Sequence, residues 1–401
     1  MGWKYFRCNV RVSSNNPKGD YTDITPRRPL CWITALYRCH YYAGDDIQEN
    51  NGSNQVIRYY SVKIKDIDLV NVSRFRAEHM GMAMLFVILF HVGLPRWSDF
   101  YGLRRMGNLG VDMFLFLSGV GLWFSWAKRS VDGSFFKDWV SFYIRRLKRI
   151  YPVWLIIACL YYIPRFDGVH WIDLFGDILV NWDFWLHDEL TFWYIPATMM
   201  LYIFAPPYME LIRRHPIYHW LVLVMVMWCI LVQWVTPIHQ AVGHIEIFWS
   251  RVPIFFLGIN MGEMVRQKKS LDGQCIWMVW IMFLMSLCTS IWLEQEIHGK
   301  FPLFIERMLY IPLTVTTIIL LNRVFRRTPQ WFNKSVAWFG ALSLEAYLIH
   351  IEFVLKPLER NTDLGYWMTF LITVAVTMPL AWLLHYLVNN VILKYSFSKQ
   401  K

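Results

Sequence analysis

Residues 85–126, LFVILFHVGLPRWSDFYGLRRMGNLGVDMFLFLSGVGLWFSW, form two apolar runs that a short loop joins. His91 lies at the end of the first run, and Asp112 lies near the start of the second. An imidazole accepts a proton near neutral pH, and a carboxylate can stabilise the imidazolium that results. An Asp at the middle of a membrane helix costs about 2.5–3.5 kcal/mol on insertion, so such residues are functional candidates by default. The pair therefore predicts acid–base chemistry, with an ion pair between neighbouring helices as the alternative interpretation.

A second set of chemical groups lies in FYIRRLKRIYP (142–152), where an apolar run begins. Its cations are Arg145, Arg146, Lys148 and Arg149. Helix starts favour anions because their backbone N–H groups lack partners, and Arg binds phosphate bidentately. Arg76 precedes His91 by fifteen residues, which in a helix is about 22 Å at 1.5 Å per residue. This spacing suits a long ligand with phosphates at one end and a reactive group at the other. Anchoring at the inner membrane surface is the alternative.

The elements that must position these groups are long and apolar. Of the 401 residues, 56% are hydrophobic and 17% are charged, whereas soluble domains carry about 25% charged residues. Apolar stretches near the roughly 20 residues that cross a bilayer recur from residue 80 onward. We predict an all-α, polytopic bundle of about ten helices in a lipid bilayer. The predicted spans are 74–95, 108–127, 146–164, 192–208, 216–236, 245–263, 274–293, 302–322, 336–355 and 365–390, with an interfacial or re-entrant segment at 170–187.

Clusters of Lys and Arg follow every second predicted span, which is the pattern of the positive-inside rule. Both termini are therefore expected in the cytoplasm. Arg104 and Arg105, in the first outer loop, are the exception. The net charge of +11 thus indicates topology, since a nucleic-acid-binding protein would need a continuous basic face. The seven cysteines have no spacing typical of a disulfide framework or a metal site.

The first 72 residues differ in kind from the rest of the chain. They are mixed, polar and aperiodic, and they lack the basic head and apolar core of a secretory signal peptide. We interpret residues 1–72 as a poorly ordered segment, or as the result of a start codon assigned too far upstream. The membrane domain is predicted at 73–393 and a cytoplasmic tail at 394–401.

Further ionisable residues fall within the predicted spans, mostly in the outward halves. They are Arg251, Glu306, Arg307, Glu345 and His350. Each is a functional candidate because of its cost in hydrocarbon, and pairing that holds the bundle together is the alternative.

Six segments follow one another in an order that resembles a known family: MGMAMLFVILFH, GNLGVDMFLFLSGVGLWFS, FYIRRLKRIYPVWLI, FWYIPATMMLYIFAPP, RVPIFFLGI and LSLEAYLIH. Over residues 74–390 they are similar to the acyltransferase-3 family of integral membrane acyltransferases. The resemblance implies a ten-helix fold and transfer of an acyl group, usually acetyl, from acyl-CoA to a sugar hydroxyl. Its acceptors are mostly polysaccharides and glycosides of the bacterial cell envelope, which implies O-acetylation at a bacterial cytoplasmic membrane.

The resemblance also assigns residues. His91 matches the family's histidine, and Asp112 matches the aspartate of its GVD motif. The arginine pair of its R-x-x-R motif matches Arg146 and Arg149, with Arg145 beside them.

One position departs from the family pattern. The family usually carries an Arg eleven residues before the histidine, and that position here is Met80. Arg76, one turn lower, is the expected substitute. Together with Arg145, Arg146 and Arg149 it would hold the phosphates of acyl-CoA that enters from the cytoplasm.

In the implied reaction His91 takes the proton of the acceptor hydroxyl and Asp112 stabilises the imidazolium, without a metal. The candidates for oxyanion donors or substrate contacts are Ser118, Trp193, Arg251, Glu306, Arg307 and His350. The chain would complete transfer to a carbohydrate acceptor alone, or hand the acyl group to a partner protein.

Other classes of membrane protein remain as alternatives. A multi-span transporter of a polar or anionic solute would also use buried charges and a basic inner rim, and it often shows internal repeats, which we do not find. A polyprenyl-linked glycosyltransferase would need a metal-binding carboxylate pair or a basic site for a lipid phosphate. A structural scaffold would leave the order of the six segments unexplained.

Overall fold

The computed structural model describes residues 66–129 and 135–393. Within these ranges the helices are, in chain order, α1 (Val70–Arg74), α2 (Arg76–His91), α3 (Tyr101–Arg105), α4 (Leu109–Trp126), α5 (Phe135–Tyr162), α6 (Trp171–Val180), α7 (Trp182–Leu186), α8 (Tyr194–Arg214), α9 (Leu221–Trp234), α10 (Thr236–Val242), α11 (Glu246–Trp249), α12 (Val252–Arg266), α13 (Cys275–Glu296), α14 (Leu303–Met308), α15 (Tyr310–Phe325), α16 (Gln330–Ala341), α17 (Ser343–Ile349), α18 (Lys356–Asn361) and α19 (Tyr366–Tyr386). Two π-helical segments, His350–Leu355 and Leu387–Leu393, follow α17 and α19. The all-α fold is confirmed.

Six segments in the described ranges are long and apolar enough to cross a membrane: Tyr101–Trp126, Tyr194–Arg214, Pro216–Trp234, Cys275–Glu296, Leu303–Phe325 and Tyr366–Asn390. Two bent pairs raise the number to eight if each is one span: Thr236–Trp249 with Val252–Arg266, bent by 44°, and Gln330–Ala341 with Ser343–Asn361, bent by 60°. The apolar helices point to an integral membrane protein. The predicted number of ten also counts α2, which has only 16 residues, and the partly basic α5, and it stays a prediction.

Helix α4 lies at the centre of the bundle. Apolar residues surround the whole helix. Of the most apolar residues of its segment, 83% are buried, compared with 17% in Pro216–Trp234 and 28% in Cys275–Glu296. A helix that is apolar on all sides is buried by protein or by lipid. The difference in burial therefore separates the central α4 from the lipid-facing α9 and α13.

Glycines allow the central helices to approach closely. A β-carbon on Gly81 of α2 would collide with the Val336 carbonyl of α16, and one on Gly110 of α4 would collide with the Ala83 carbonyl of α2. Small residues at helix contacts let the backbones approach to full van der Waals contact, which is a main source of helix association in membranes. These contacts hold α2, and with it His91, against α4 and α16.

The chain joins the packed structure earlier than expected. Strand β1 (Ile67–Asp68) pairs antiparallel with β2 (Ser270–Leu271), and Asn71 and Val72 of α1 are buried. Residues 66–72 therefore belong to the fold rather than to the polar segment to which we assigned them. Residues 1–65 of that segment and the predicted tail 394–401 lie outside the described residues.

Two arginines break the pattern of basic loops, and both have partners in the fold. The Arg104 guanidinium donates to the carbonyl oxygens of Phe90 (3.0 Å) and Val92 (2.8 Å). Arg105 pairs with the buried carboxylate of Glu294 at 3.1 Å. Arg104 thus satisfies carbonyls at the C-terminus of α2, where a cation is favoured by the helix dipole.

Candidate active site

His91 ends α2 and is half-buried. Its Nδ1 lies 2.8 Å from the carbonyl oxygen of Val87, one turn earlier in the same helix. A carbonyl oxygen only accepts, so this contact assigns the proton to Nδ1 and leaves Nε2 as the basic nitrogen. His91 lines a cavity of about 320 Å³, the His91 cavity, whose other lining residues are Glu189, Leu190, Thr191, Phe192, Trp193, Tyr347, Ile351, Glu352 and Lys356.

The structure brings His350 against His91. His350 is fully buried, and its Nε2 lies 3.3 Å from Nδ1 of His91, with the ring centroids 5.0 Å apart. The other ring nitrogen, Nδ1, faces the carbonyl oxygens of Tyr347 (2.8 Å) and Ala346 (3.1 Å). His350 starts the π-helical segment, a type of irregularity that is frequent at functional sites.

Asp112 has a different partner from the one we expected. Its carboxylate lies 3.6 Å from Nε of Arg251, and both side chains are buried. Arg251 also donates to the side-chain oxygen of Asn108 at 3.0 Å, and its guanidinium lies over the Trp193 ring, 5.1 Å from the centroid. Among the described contacts none joins Asp112 to His91. Trp193, which the Arg251 guanidinium contacts, lines the His91 cavity.

Glu306 and Arg307 belong to a buried ionic network that lies within electrostatic range of the Asp112–Arg251 pair. Arg307 pairs with Glu246 of α11 at 3.0 Å, and Glu306 is buried beside Glu294, the partner of Arg105. Neither residue lines the His91 cavity. Their surroundings match the alternative interpretation for charges within spans, in which pairing holds helices together.

Three of the four expected donor-binding arginines converge on one cavity, the arginine cavity. Its lining residues are Arg76, Met80, Phe114, Ser118, Gly121, Arg146, Arg149, Ile150, Tyr194, Ile195, Thr198, Tyr202, Ser343, Leu344 and Tyr347. Arg76 and Met80 therefore face the same cavity, one turn apart on α2. Nε of Arg146 is buried without a hydrogen-bond partner, and its Nη2 lies 3.4 Å from the Ser125 hydroxyl. Arg145 is exposed, bonds to Ser141, and lies outside the lining.

The arginine cavity and the His91 cavity share Tyr347 as a lining residue. Tyr347 is buried in α17, and its hydroxyl accepts a hydrogen bond from the Tyr194 backbone N–H at 3.3 Å. Ser118 lies on the arginine side, where its hydroxyl is 2.8 Å from that of Tyr202. Tyr347 thus borders both cavities.

A third cavity of about 490 Å³, the acidic cavity, adjoins the His91 cavity through Glu189 and Thr191. Its remaining lining residues are Tyr161, Tyr162, Arg165, Phe166, Asp167, His170, Asp173, Leu174, Asp177, Asp183 and His187. Burial raises the pKa of Asp177 to about 6. A hydrogen bond to the Asp183 carboxylate raises the pKa of His187. Five carboxyl groups line the cavity beside one arginine and two histidines, so the cavity favours neutral or cationic ligands.

The loop between the acidic cavity and the His91 cavity is held by a buried asparagine. Asn181 adopts φ 54°, accepts a hydrogen bond from the Tyr162 hydroxyl (3.0 Å) and donates to the Thr191 carbonyl (2.9 Å). Phe192 also lies in the left-handed region, with φ 56°. Asn tolerates this conformation better than an aromatic residue does, and strained backbone often persists beside functional sites. The loop thereby presents Phe192 and Trp193 to the His91 cavity.

Sequence reasoning missed Tyr347, Tyr194 and Glu352 as lining residues. A signal for Tyr347 exists in LSLEAYLIH, because it precedes His350 by three residues and so shares its helix face. Tyr194 and Glu352 carry no comparable signal. Within residues 66–129 and 135–393, no group of three or more His, Cys, Asp or Glu side chains is placed to hold a metal ion.

Comparisons with known proteins identify the family of the chain. The acyltransferase-3 family model, described as an acyltransferase domain, matches residues 81–386, most of the chain. A curated protein of Caenorhabditis elegans, "Regulator of hypoxia-inducible factor 1", is 27% identical over 186 residues, covering 37% of this chain. The match spans 35% of that relative's length. No solved structure matches the chain. The extent of the family match shows that the chain belongs to the acyltransferase-3 family.

Proposed function

We propose that this membrane acyltransferase moves an acyl group, most simply acetyl, from acyl-CoA to a hydroxyl of a carbohydrate. One observation carries the proposal: a cavity lined by three arginines shares its lining residue Tyr347 with the cavity that contains His91. A donor with phosphates at one end and a thioester at the other fits this arrangement. Arg76 and His91 lie at opposite ends of α2, about 22 Å apart at 1.5 Å per residue.

The arginine cavity suits the phosphates of coenzyme A. Arg146 offers a buried Nε that has no protein partner, and such donors are costly unless a ligand or water satisfies them. Arg76 and Arg149 line the same cavity and add charge. Guanidinium groups bind phosphate through two parallel hydrogen bonds. Acyl-CoA is a cytoplasmic metabolite, so the proposal requires this cavity to open to the cytoplasm, on the same side as both chain termini. A bacterial cytoplasmic membrane is supported only by the family resemblance.

His91 acts as the general base in the proposed reaction. Its Nε2 takes the proton of the acceptor hydroxyl while that oxygen attacks the thioester carbonyl and forms the new C–O bond. The tetrahedral oxyanion then collapses, the C–S bond breaks, and the coenzyme A thiolate takes the proton from His91. Trp193 is the only one of the oxyanion candidates Ser118, Trp193 and Arg251 that lines the His91 cavity, so it is the proposed donor.

The acidic cavity is the proposed route for the acceptor. It shares the lining residues Glu189 and Thr191 with the His91 cavity. It combines carboxylates with the rings of Tyr161, Tyr162 and Phe166. Carboxylates accept hydrogen bonds from sugar hydroxyls, and aromatic rings offer apolar faces to sugar rings. Its negative charge favours a neutral or amine-bearing acceptor over an anionic one.

The test is acyl transfer by the purified full chain in lipid nanodiscs. Radiolabelled acetyl-CoA is offered with a panel of neutral, cationic and anionic oligosaccharides, and acylated product is measured per folded molecule. The wild type should label a neutral or cationic acceptor, and His91→Gln should lose about 10²–10⁴ of the rate. His215→Gln, at an exposed position after α8, is the matched control.

Two results would contradict the proposal. Turnover of His91→Gln close to the wild-type rate would remove His91 from the reaction. Movement of a labelled solute into vesicles without consumption of acetyl-CoA would favour a transporter instead.

A further inference from the structure

His350 makes contacts that leave one consistent arrangement of protons. Its Nδ1 lies 2.8 Å from the Tyr347 carbonyl oxygen and 3.1 Å from that of Ala346. Carbonyl oxygens only accept hydrogen bonds, so Nδ1 carries the proton of the neutral ring. The other nitrogen, Nε2, is then an acceptor. This acceptor lies 3.3 Å from Nδ1 of His91.

The same reasoning applied to His91 gives a complementary result. Its Nδ1 faces the Val87 carbonyl oxygen at 2.8 Å, which again requires a proton on Nδ1. One N–H of His91 is thus shared between the Val87 carbonyl and Nε2 of His350. The proton chain runs from His91 through His350 to the carbonyls of α17, and it leaves Nε2 of His91 unprotonated.

We propose that His350 is the positioning residue of the reaction centre, the acceptor that fixes the tautomer and the ring orientation of His91. This inference rests on the proposed role of His91 as the base. In many hydrolases and transferases a carboxylate performs this task by accepting from Nδ1–H of the catalytic histidine. Asp112 is not available for it, because its carboxylate is paired with Arg251 at 3.6 Å.

A neutral imidazole suits this position because of its burial. His350 is fully buried, and its side chain contacts two carbonyl oxygens and the rings of His91 and Tyr347. A carboxylate there would carry a charge without a cationic partner, which is costly in a low-dielectric interior. When His91 takes a proton from the acceptor hydroxyl of the substrate, its Nδ1–H becomes a stronger hydrogen-bond donor. The Val87 carbonyl oxygen and Nε2 of His350 both accept from it.

The orientation of the ring also depends on the π-helical segment. His350 begins this segment, in which the wider turn changes the direction of side chains relative to the preceding α17. Ile351 and Glu352, the next two residues, line the His91 cavity. The segment therefore places an orienting group behind His91 and cavity-lining groups beside it.

Two substitutions test the acceptor function of Nε2 separately from the donor function of Nδ1 in His350. In His350→Asn the amide reaches only the position of Nδ1, so it can donate to the Tyr347 carbonyl but offers no acceptor to His91. In His350→Gln the longer side chain can place an amide oxygen near the position of Nε2. Both variants are of similar polarity, so they provide a matched pair.

Kinetics of acetyl transfer by the full chain in nanodiscs are the first measurement. We expect kcat of His350→Asn to fall by about 10²-fold, the lower end of a general-base contribution, with KM for acetyl-CoA changed less than twofold. We expect kcat of His350→Gln to be at least tenfold higher than kcat of His350→Asn. Equal kcat values for the two variants at wild-type melting temperature, or an unchanged kcat in His350→Asn, would overturn the proposal.

The second measurement needs no variant to be active. Solid-state NMR of the ¹⁵N-histidine-labelled wild type, with His91→Gln to assign the signals, reports which nitrogen of His91 carries the proton. We expect protonated Nδ1 and unprotonated Nε2, and an Nε2–H tautomer would refute the arrangement. This spectrum does not depend on turnover. A wild type that transfers no acyl group would therefore contradict the proposed function, and the spectrum would still test whether His350 sets the tautomer of His91.

Discussion

Arg146 and Arg145 are neighbours in the chain, but the fold gives them different surroundings, so they form a matched test of the donor site. Arg146 lines the arginine cavity, and its buried Nε has no hydrogen-bond partner. Arg145 is exposed and lies among residues of another face of α5. The perturbation is replacement of each by Gln, which removes the charge and keeps most of the side-chain length.

The expected magnitude follows from these contacts. A hydrogen bond to a charged group contributes about 1.5–3 kcal/mol, and each 1.4 kcal/mol is a factor of ten in affinity. Arg146→Gln should therefore raise the dissociation constant of coenzyme A by about 10- to 150-fold. Arg145 touches no part of the cavity, and exposed charges are screened by solvent and salt. We expect less than a twofold change for Arg145→Gln.

The assay is isothermal titration calorimetry of coenzyme A with the purified full chain in about 0.15 M salt, near physiological ionic strength. Melting temperatures serve as the folding control, and kcat at saturating acetyl-CoA should stay near the wild-type value in both variants. Equal losses of affinity in both variants would mean that Arg146 acts only through the general positive charge of the membrane surface. A lower kcat with unchanged affinity would place Arg146 in the chemistry instead.

Three further changes test the packing and electrostatics around the site. Asp112→Asn removes the carboxylate paired with the buried Arg251 and should destabilise the fold by about 3–5 kcal/mol, measured as a lower midpoint of denaturation. A wild-type midpoint would show that the pair contributes nothing. The pKa of Asp177 is raised to about 6 in the fold, above its value in the unfolded chain, so the fold favours the protonated carboxyl. The stability that Asp177 contributes is therefore full below about pH 4 and is lost as pH rises through 6. The wild type should lose stability over that range relative to Asp177→Asn, and parallel pH profiles would refute this. Gly81→Val places a branched side chain against the Val336 carbonyl and should cost about 1–3 kcal/mol or more through overpacking, whereas a stable variant would show that the two helices can separate freely.

The features that could be predicted from the sequence are local. Helical spans depend on the length of apolar runs, and the convergence of Arg146 and Arg149 on one cavity depends on a spacing within a single helix. Arg76 could be placed relative to His91 because both lie on α2. Each of these inferences needs only the geometry of one helix.

The partner of His91 could not be predicted in this way. His91 and His350 are separated by 259 residues, and their contact depends on how α2 packs against the π-helical segment that follows α17. Asp112 is close to His91 in the chain because a short loop joins their helices, but a helix has several faces. Proximity along the chain therefore indicated neighbouring helices and did not indicate which side chains meet.

A signal for the true partner of Asp112 is nevertheless present in the sequence. Gly119 of α4 and Gly258 of α12 meet at a close approach of the two backbones, where a β-carbon on either would collide with the other helix. Asp112 precedes Gly119 by seven residues, and Arg251 precedes Gly258 by seven residues. Seven residues are nearly two full turns of a helix, so each charged residue shares a face with its glycine. Given that the two glycines touch and the helices run in the same direction, the carboxylate and the guanidinium must meet two turns away. The ion pair at 3.6 Å is thus a consequence of the same helix contact that buries α4.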